Sequence, residues 1–362
     1  MDYLDSAISI LNILNSNGFT AYIVGGFVRD SILGISSNDI DLTSNAKPDE
    51  VSKLFKTIPT GIKYGTVLIR YNDYSFEHTT FRFDLEYSDS RHPSGVSYSN
   101  NVLDDVRRRD FTINALLMDS NKKIIDYTDG INDLKKKVIR TIGNSNNRFN
   151  EDALRMLRAI SFVSKLGFDI EDNTLKSIIE NKELLKNISV ERIRIEFDKI
   201  SKGKYREKAW EIFYNIGLNE LFPNMKYIDS FDKSFIDIII YNMLKMGEID
   251  DFWAFSKSCI KELKKAIDLI KNGITDYNMY ECGYNSAMYA LDYLKIDKKI
   301  WDDLKIKSLK DLEISGSDLT FINKTNRSKC LNYLVKEVLE NNLSNKYDCL
   351  IEEAKKWNML QS

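Results

Sequence analysis

The chain has 362 residues, with 52 Lys and Arg against 54 Asp and Glu, a net charge of −2. That balance excludes a globally basic nucleic-acid-binding protein, so any RNA surface must be a local patch. Two histidines (His78, His92) leave nothing for histidine-cluster chemistry, and no apolar run approaches bilayer-spanning length.

Two or three domains are expected for this length. Cys259, Cys282, Cys330 and Cys349 form no Cys-x-x-Cys pair and read as thiols of a reducing compartment. The acidic N-terminus lacks a signal-peptide pattern, and a soluble, cytoplasmic protein is expected.

Leu4, Ala7, Ile8, Leu11 and Leu14 recur at helical spacing and Gly18 closes that helix. Residues 20–24 read as a strand running into Gly25 and Gly26, which lack a Cβ and let the backbone approach a ligand. Phe27 to Leu33 then forms a short helix whose N–H groups face the turn, ended by Gly34. Residues 39–43 (DIDLT) alternate as a strand, so Asp39 and Asp41 share one face. Two carboxylates at that spacing repel unless a divalent cation lies between them, and hard oxygen donors suit magnesium held together with substrate phosphates. A metal beside a phosphate cradle points to phosphoryl or nucleotidyl transfer. A plain turn and a solvated strand are the simpler alternatives.

A helix over 47–56 and a hairpin of Thr66 to Arg70 with Ser75 to Phe81 follow. Glu77, on the second strand, is a candidate third carboxylate or simply solvated. Residues 83–101 are polar with aromatics, without periodicity, and read as a long loop beside the metal site, functional or disordered. In LDDVRRRDFTINAL (103–116), Arg109 is placed to contact a triphosphate, with Asp110 and Asn114 holding neighbouring groups or a ribose hydroxyl. A basic helix end facing water is the alternative. Strands at Ile124 to Asp126 and Val138 to Thr141 complete a first domain over residues 1–145.

Within residues 148–160 (RFNEDALRMLRAI), Asn150 can cap a helix that carries Asp152, Arg155 and Arg158 on one stripe. An aspartate accepts from an exocyclic amino group and an arginine donates to the acceptor beside it. Cytosine and adenine both offer that pattern, so the pair can admit CTP and ATP and reject UTP and GTP. A surface ion pair is the alternative. Helical periodicity then continues almost unbroken, with Lys199, Lys202, Lys204, Arg206 and Lys208 as a local basic patch. The fold class is α+β: a small mixed sheet, a helical neck over 146–220 and a helical body and tail over 221–362.

Taken together, GGFVRD with DID (25–41), RRDFTINAL (108–116), DYTDGINDL…VIRTIG (126–143), EDALRMLRA (151–159) and SVERIRIEF (189–197) resemble the class II tRNA nucleotidyltransferase family, which includes CCA-adding enzymes and bacterial poly(A) polymerases. The resemblance covers roughly residues 20–200 and implies two Mg²⁺ ions on Asp39 and Asp41. It implies triphosphate contacts from Gly26, Arg29 and Arg109, and a protein template for C and A made by Asp152 and Arg155 with Arg158 nearby. Many relatives carry an arginine where this chain has Ser161. Ser189 to Phe197 resembles the segment that braces the template helix. The implied partner is tRNA, gripped at its acceptor and T arms, with CTP and ATP as substrates, no membrane and no protein partner.

Full CCA addition is expected, because the loop at Tyr87 to Ser99, shortened in CC-adding relatives, reads as complete. Addition of A alone is the alternative, then poly(A) synthesis, which the lack of long basic extensions disfavours. A small-molecule nucleotidyltransferase and a non-catalytic RNA-binding relative are readings of other classes. The long helical half disfavours the former, and the intact aspartate and template pairs the latter.

Overall fold

The computed structural model describes residues 2–84, 95–226 and 234–361. They form two compact units: one runs to Pro223 and takes in Phe235, the other holds Asn224 and the chain from Ile236 onward. The stretches expected as catalytic head (1–145) and neck (146–220) therefore lie in a single unit.

That unit opens with α1 (Tyr3–Ser16), capped by the Asp2 carboxylate and buried along Ala7, Ile10, Leu11 and Leu14. β1 (Ala21–Val24), α2 (Gly26–Ile32), β2 (Asp41–Ser44), α3 (Pro48–Leu54), β3 (Lys56–Gly61), β4 (Thr66–Tyr71) and β5 (Tyr74–Thr80) follow. After β6 (Arg82–Asp84), β7 (Val96–Tyr98) and α4 (Val102–Arg107), β8 (Leu117–Met118) and β9 (Ile124–Ile125) complete a seven-stranded sheet of order β3-β4-β5-β2-β1-β8-β9. Only β2 and β5 pair in parallel, so the sheet is mixed as expected. β3 was not foreseen; its Pro59 suits an edge strand, where a missing N–H breaks no inner ladder.

Two expectations are corrected here. Residues 83–101 are not a bare loop, since β6 and β7 pair antiparallel at its base; of the loop read as complete at Tyr87 to Ser99, residues 87–94 lie outside the described residues. The strand expected at Val138 to Thr141 stays out of the main sheet. After α5 (Gly130–Lys136), β10 (Val138–Ile139) pairs in parallel with β11 (Asp169–Ile170) across α6 (Ser145–Glu151) and α7 (Leu154–Leu166). The unit ends in α8 (Asp172–Asn181), α9 (Val190–Lys202) and α10 (Arg206–Asn215), with Phe197, Trp210 and Phe213 interlocked edge to face.

Among its described residues the second unit holds helices joined by turns and loops, and no strand. Its α-helices are α11 (Phe235–Met246, whose first residue belongs to the first unit), α12 (Lys257–Asn272), α13 (Asp276–Cys282), α14 (Tyr284–Leu294), α15 (Lys299–Asp302), α16 (Arg327–Leu339) and α17 (Tyr347–Leu360). Ile306, Leu319, Leu334, Val335 and Leu350 form a core there. No helix among the described residues is long and apolar enough to cross a membrane.

Candidate active site

At the end of β1, Gly25 turns the chain with φ +80°, a region that strains any side chain. A Cβ at Gly25 would stand 3.6 Å from both the Arg109 guanidinium and the Asn114 carbonyl. The Gly25 N–H donates to the Leu116 carbonyl at 3.1 Å, and α2 starts at Gly26 without a side-chain cap.

Asp41 is the first residue of β2 and the register partner of Val24, so it lies beside this turn. Asp39 precedes the strand, which begins two residues later than the alternation suggested. Ile40 between them is buried, Asp39 is exposed and Asp41 half-buried. Burial pushes the Asp41 carboxyl up to about 6, and the charges of Asp39 and Glu77 add to it while Arg109 opposes. Glu77 is the partner of Asp41 on β5, and register partners in a parallel pair share a face. Negative charge crowded onto hard oxygen donors fits a divalent cation. Among the described residues no group of three or more His, Cys, Asp or Glu is close enough to hold one. Glu77 thus reaches Asp41 through its charge without closing a three-carboxylate cage.

Asp105, fully buried on α4, divides its oxygens between two arginines. Oδ1 accepts from Arg108 Nε at 2.8 Å, and Oδ2 from Arg109 Nη2 at 2.9 Å. Burial alone would raise this carboxyl, yet the two guanidinium groups hold it below its ordinary value. Arg109 is thereby anchored between Asp105, the Gly25 turn and Asp41. The sequence carried a signal for Asp105 that went unread: it precedes Arg108 and Arg109 by three and four residues, the spacing of a helical ion pair.

Arg29 faces inward, with 2% of its surface exposed. Its Nε donates to Asp30 at 2.7 Å and its Nη1 to the Asn114 side-chain oxygen at 2.5 Å. Asn114 in turn donates to Asp110, which accepts from Arg158 Nε at 2.7 Å. Burial opposes ionisation of Asp110, but Arg158 and these hydrogen bonds hold it below the usual carboxylate range. The Phe162 ring lies against both guanidinium groups, 5.3 Å from Arg29 and 5.7 Å from Arg158. Arg29, Asn114 and Arg158, expected as nucleotide contacts, are therefore linked to one another in a chain that is buried at Arg29 and Asn114 and partly exposed at Arg158.

The helix expected to start after an Asn150 cap begins later, as α7 at Leu154, and Asn150 lies inside the preceding helix α6. Asn144, not Asn150, caps α6, and the chain breaks at Asp152, whose backbone is extended. Asp152 and Arg155 consequently take separate partners. Asp152 Oδ1 accepts from the Leu154 N–H at 3.1 Å, and Oδ2 from Arg192 Nη2 at 2.8 Å. Arg155 donates to Glu151 at 2.8 Å and to the Arg108 carbonyl at 3.1 Å. Arg192, on α9, lies in the Ser189 to Phe197 segment expected to brace the template helix, but it was not itself singled out as a partner of Asp152.

Comparison with known proteins extends these observations. Residues 21–140 match the poly A polymerase head domain, residues 167–228 a "Probable RNA and SrmB- binding site of polymerase A", and residues 241–354 a second domain of tRNA nucleotidyltransferases. The chain is 36% identical to a CCA-adding enzyme of Bacillus pumilus, with 96% of this chain and 95% of that one aligned. It is 39% identical to one from Lactobacillus helveticus, over 82% of this chain and 79% of the relative. The structure is similar to that of the Bacillus stearothermophilus CCA-adding enzyme in complex with CTP, with a TM-score of 0.77, 26% identity, and coverage of 100% and 99%. The Thermotoga maritima CCA-adding enzyme complexed with tRNA shares the fold, with a TM-score of 0.70 at 21% identity and coverage of 98% and 96%.

Proposed function

The chain belongs to the CCA-adding enzyme family, and from that premise we propose that it completes tRNA 3′ ends with CCA, using CTP and ATP. The observation that carries this reading is likeness along nearly the whole length, joined to an Asp39/Asp41 pair beside a Gly25 turn.

The reaction is nucleotidyl transfer: the RNA 3′ oxygen forms a bond to the α-phosphorus, the bond to the bridging oxygen breaks, and pyrophosphate leaves. Asp39 and Asp41 would hold magnesium, two ions in our reading, and its positive charge would favour the attacking hydroxyl's deprotonation and the leaving group's departure. Gly25 and Gly26 let the backbone approach the triphosphate, and Arg109, oriented by Asp105, neutralises phosphate charge. Asp152 accepts from the amino group of cytosine or adenine, and Arg155 donates to the ring acceptor beside it. Arg29, Asn114 and Arg158 serve the nucleotide site from behind, through the chain that ends on Asp110. The acceptor and T arms of tRNA are the assigned RNA contacts, read by shape and backbone charge.

Purified protein with Mg²⁺, labelled CTP or ATP, and tRNA ending at the discriminator base, C or CC tests the reading. Stepwise completion of all three is expected. Addition of A alone to the CC form would refute full CCA synthesis, and activity on an aminoglycoside without RNA would overturn the RNA assignment.

A further inference from the structure

We infer that Tyr3, the first residue of α1, is a positioning residue for the catalytic aspartates. Its hydroxyl accepts a hydrogen bond from the Ile40 N–H at 3.2 Å, the one peptide nitrogen between Asp39 and Asp41 that precedes β2. The same hydroxyl donates to the Ser75 carbonyl on β5 at 3.4 Å.

The register explains why a side chain is used there. β2 and β5 pair with Asp41 opposite Glu77, so two residues earlier Asp39 would fall opposite Ser75. The backbone ladder does not extend that far, and the Tyr3 hydroxyl spans the place of the missing rung. Its ring is held for the task, stacked on Phe76 at 4.9 Å and tilted against Tyr74 at 5.0 Å, with Phe76 fully buried in the sheet. Asp41 is set by strand pairing on both sides, whereas Asp39 is exposed and lies outside the ladder. The separation of the two carboxylates therefore depends on the bond to Ile40. Position 3 precedes residues 21–140, the stretch matching the head-domain family, and belongs to none of the motifs read from the sequence.

The inference rests on Asp39 and Asp41 as the metal ligands, and Tyr3→Phe tests it because the variant keeps the ring stack. Mn²⁺ binding to the nucleotide-free protein, followed by loss of the free-ion paramagnetic resonance signal, should weaken about three- to tenfold, the worth of one hydrogen bond. The Mg²⁺ concentration for half-maximal CMP and AMP addition should rise by a similar factor, with the rate recovered at high Mg²⁺ and the melting temperature nearly unchanged. Tyr74→Phe, which alters the neighbouring ring of the stack, should bind Mn²⁺ as the parent does. An active Tyr3→Phe protein with parental Mn²⁺ affinity overturns the inference, as does equal weakening by Tyr74→Phe. Failure of the parent protein to extend tRNA would instead overturn the proposed function.

Discussion

Asp41 carries an unfavourable charge until something binds it. The residue is half-buried, with Asp39 and Glu77 close enough to push its carboxyl up to about 6 after burial has raised it. Replacing the charge should therefore stabilise the metal-free protein while removing activity. Asp41→Asn in chelator is expected to melt about 2–4 °C higher, the response of a unit this size to roughly 1 kcal/mol. A calorimetric scan with no rise would show that the repulsion is screened. Asp152 is the contrasting case, already bound at both oxygens by Leu154 N–H and Arg192. Each carboxylate oxygen retains a lone pair for a base amino group, so Arg192 orients the acceptor without filling it. Arg192→Ala should narrow the preference for CTP and ATP over UTP and GTP by about tenfold, since a hydrogen bond to a charged group is worth about 1.5–3 kcal/mol. Single-turnover rates with each nucleotide would measure it, and unchanged selectivity would remove Arg192 from the template.

Elements bear the second level of control. The template role proposed for Asp152 depends on α6 stopping there: with its backbone extended, the carboxylate accepts from Arg192 on α9. The sheet shows the same dependence on pairing. β5 alternates, so Glu77 faces outward beside Asp41 while His78 is fully buried on the other side, bound to Ser44 Oγ at 2.7 Å. Burial pulls the His78 imidazole down to about 4 from 6.5. Below pH 6.5 the unfolded chain takes up a proton that the folded protein refuses until about pH 4. Stability should accordingly fall as pH drops through this window, by roughly 2 kcal/mol from this residue between pH 7 and pH 5. Denaturant unfolding of the parent and of His78→Gln at both pH values isolates that share. An equal acid loss in the variant would assign it elsewhere.

At the scale of the whole molecule, a chain of net charge −2 must bind polyanionic tRNA through local patches. The patch read from the sequence is partly neutralised by its own neighbours: Lys199 pairs with Glu196, Lys202 with Asp198 and Lys208 with Asp169. Lys204 is exposed and rests against the Tyr205 ring at 5.3 Å. Lys204→Glu should weaken tRNA binding and lower the log–log salt slope by about 1, measured by filter binding across a salt series. An unchanged slope would place the phosphate contacts on other residues. Local order was legible in the chain itself: helical spacing in α1 and the second half and the Gly25–Gly26 turn, whereas the strand alternation read from Asp39 holds only from Asp41 onward. Those features depend on neighbours within a few positions, where side-chain period and backbone freedom act directly. Pairings across the fold were not legible, because a buried charge takes whatever partner the packing delivers. Arg29 with Asn114, Arg192 with Asp152 and Tyr3 with Ile40 are 85, 40 and 37 residues apart, and only the closed tertiary structure brought them together.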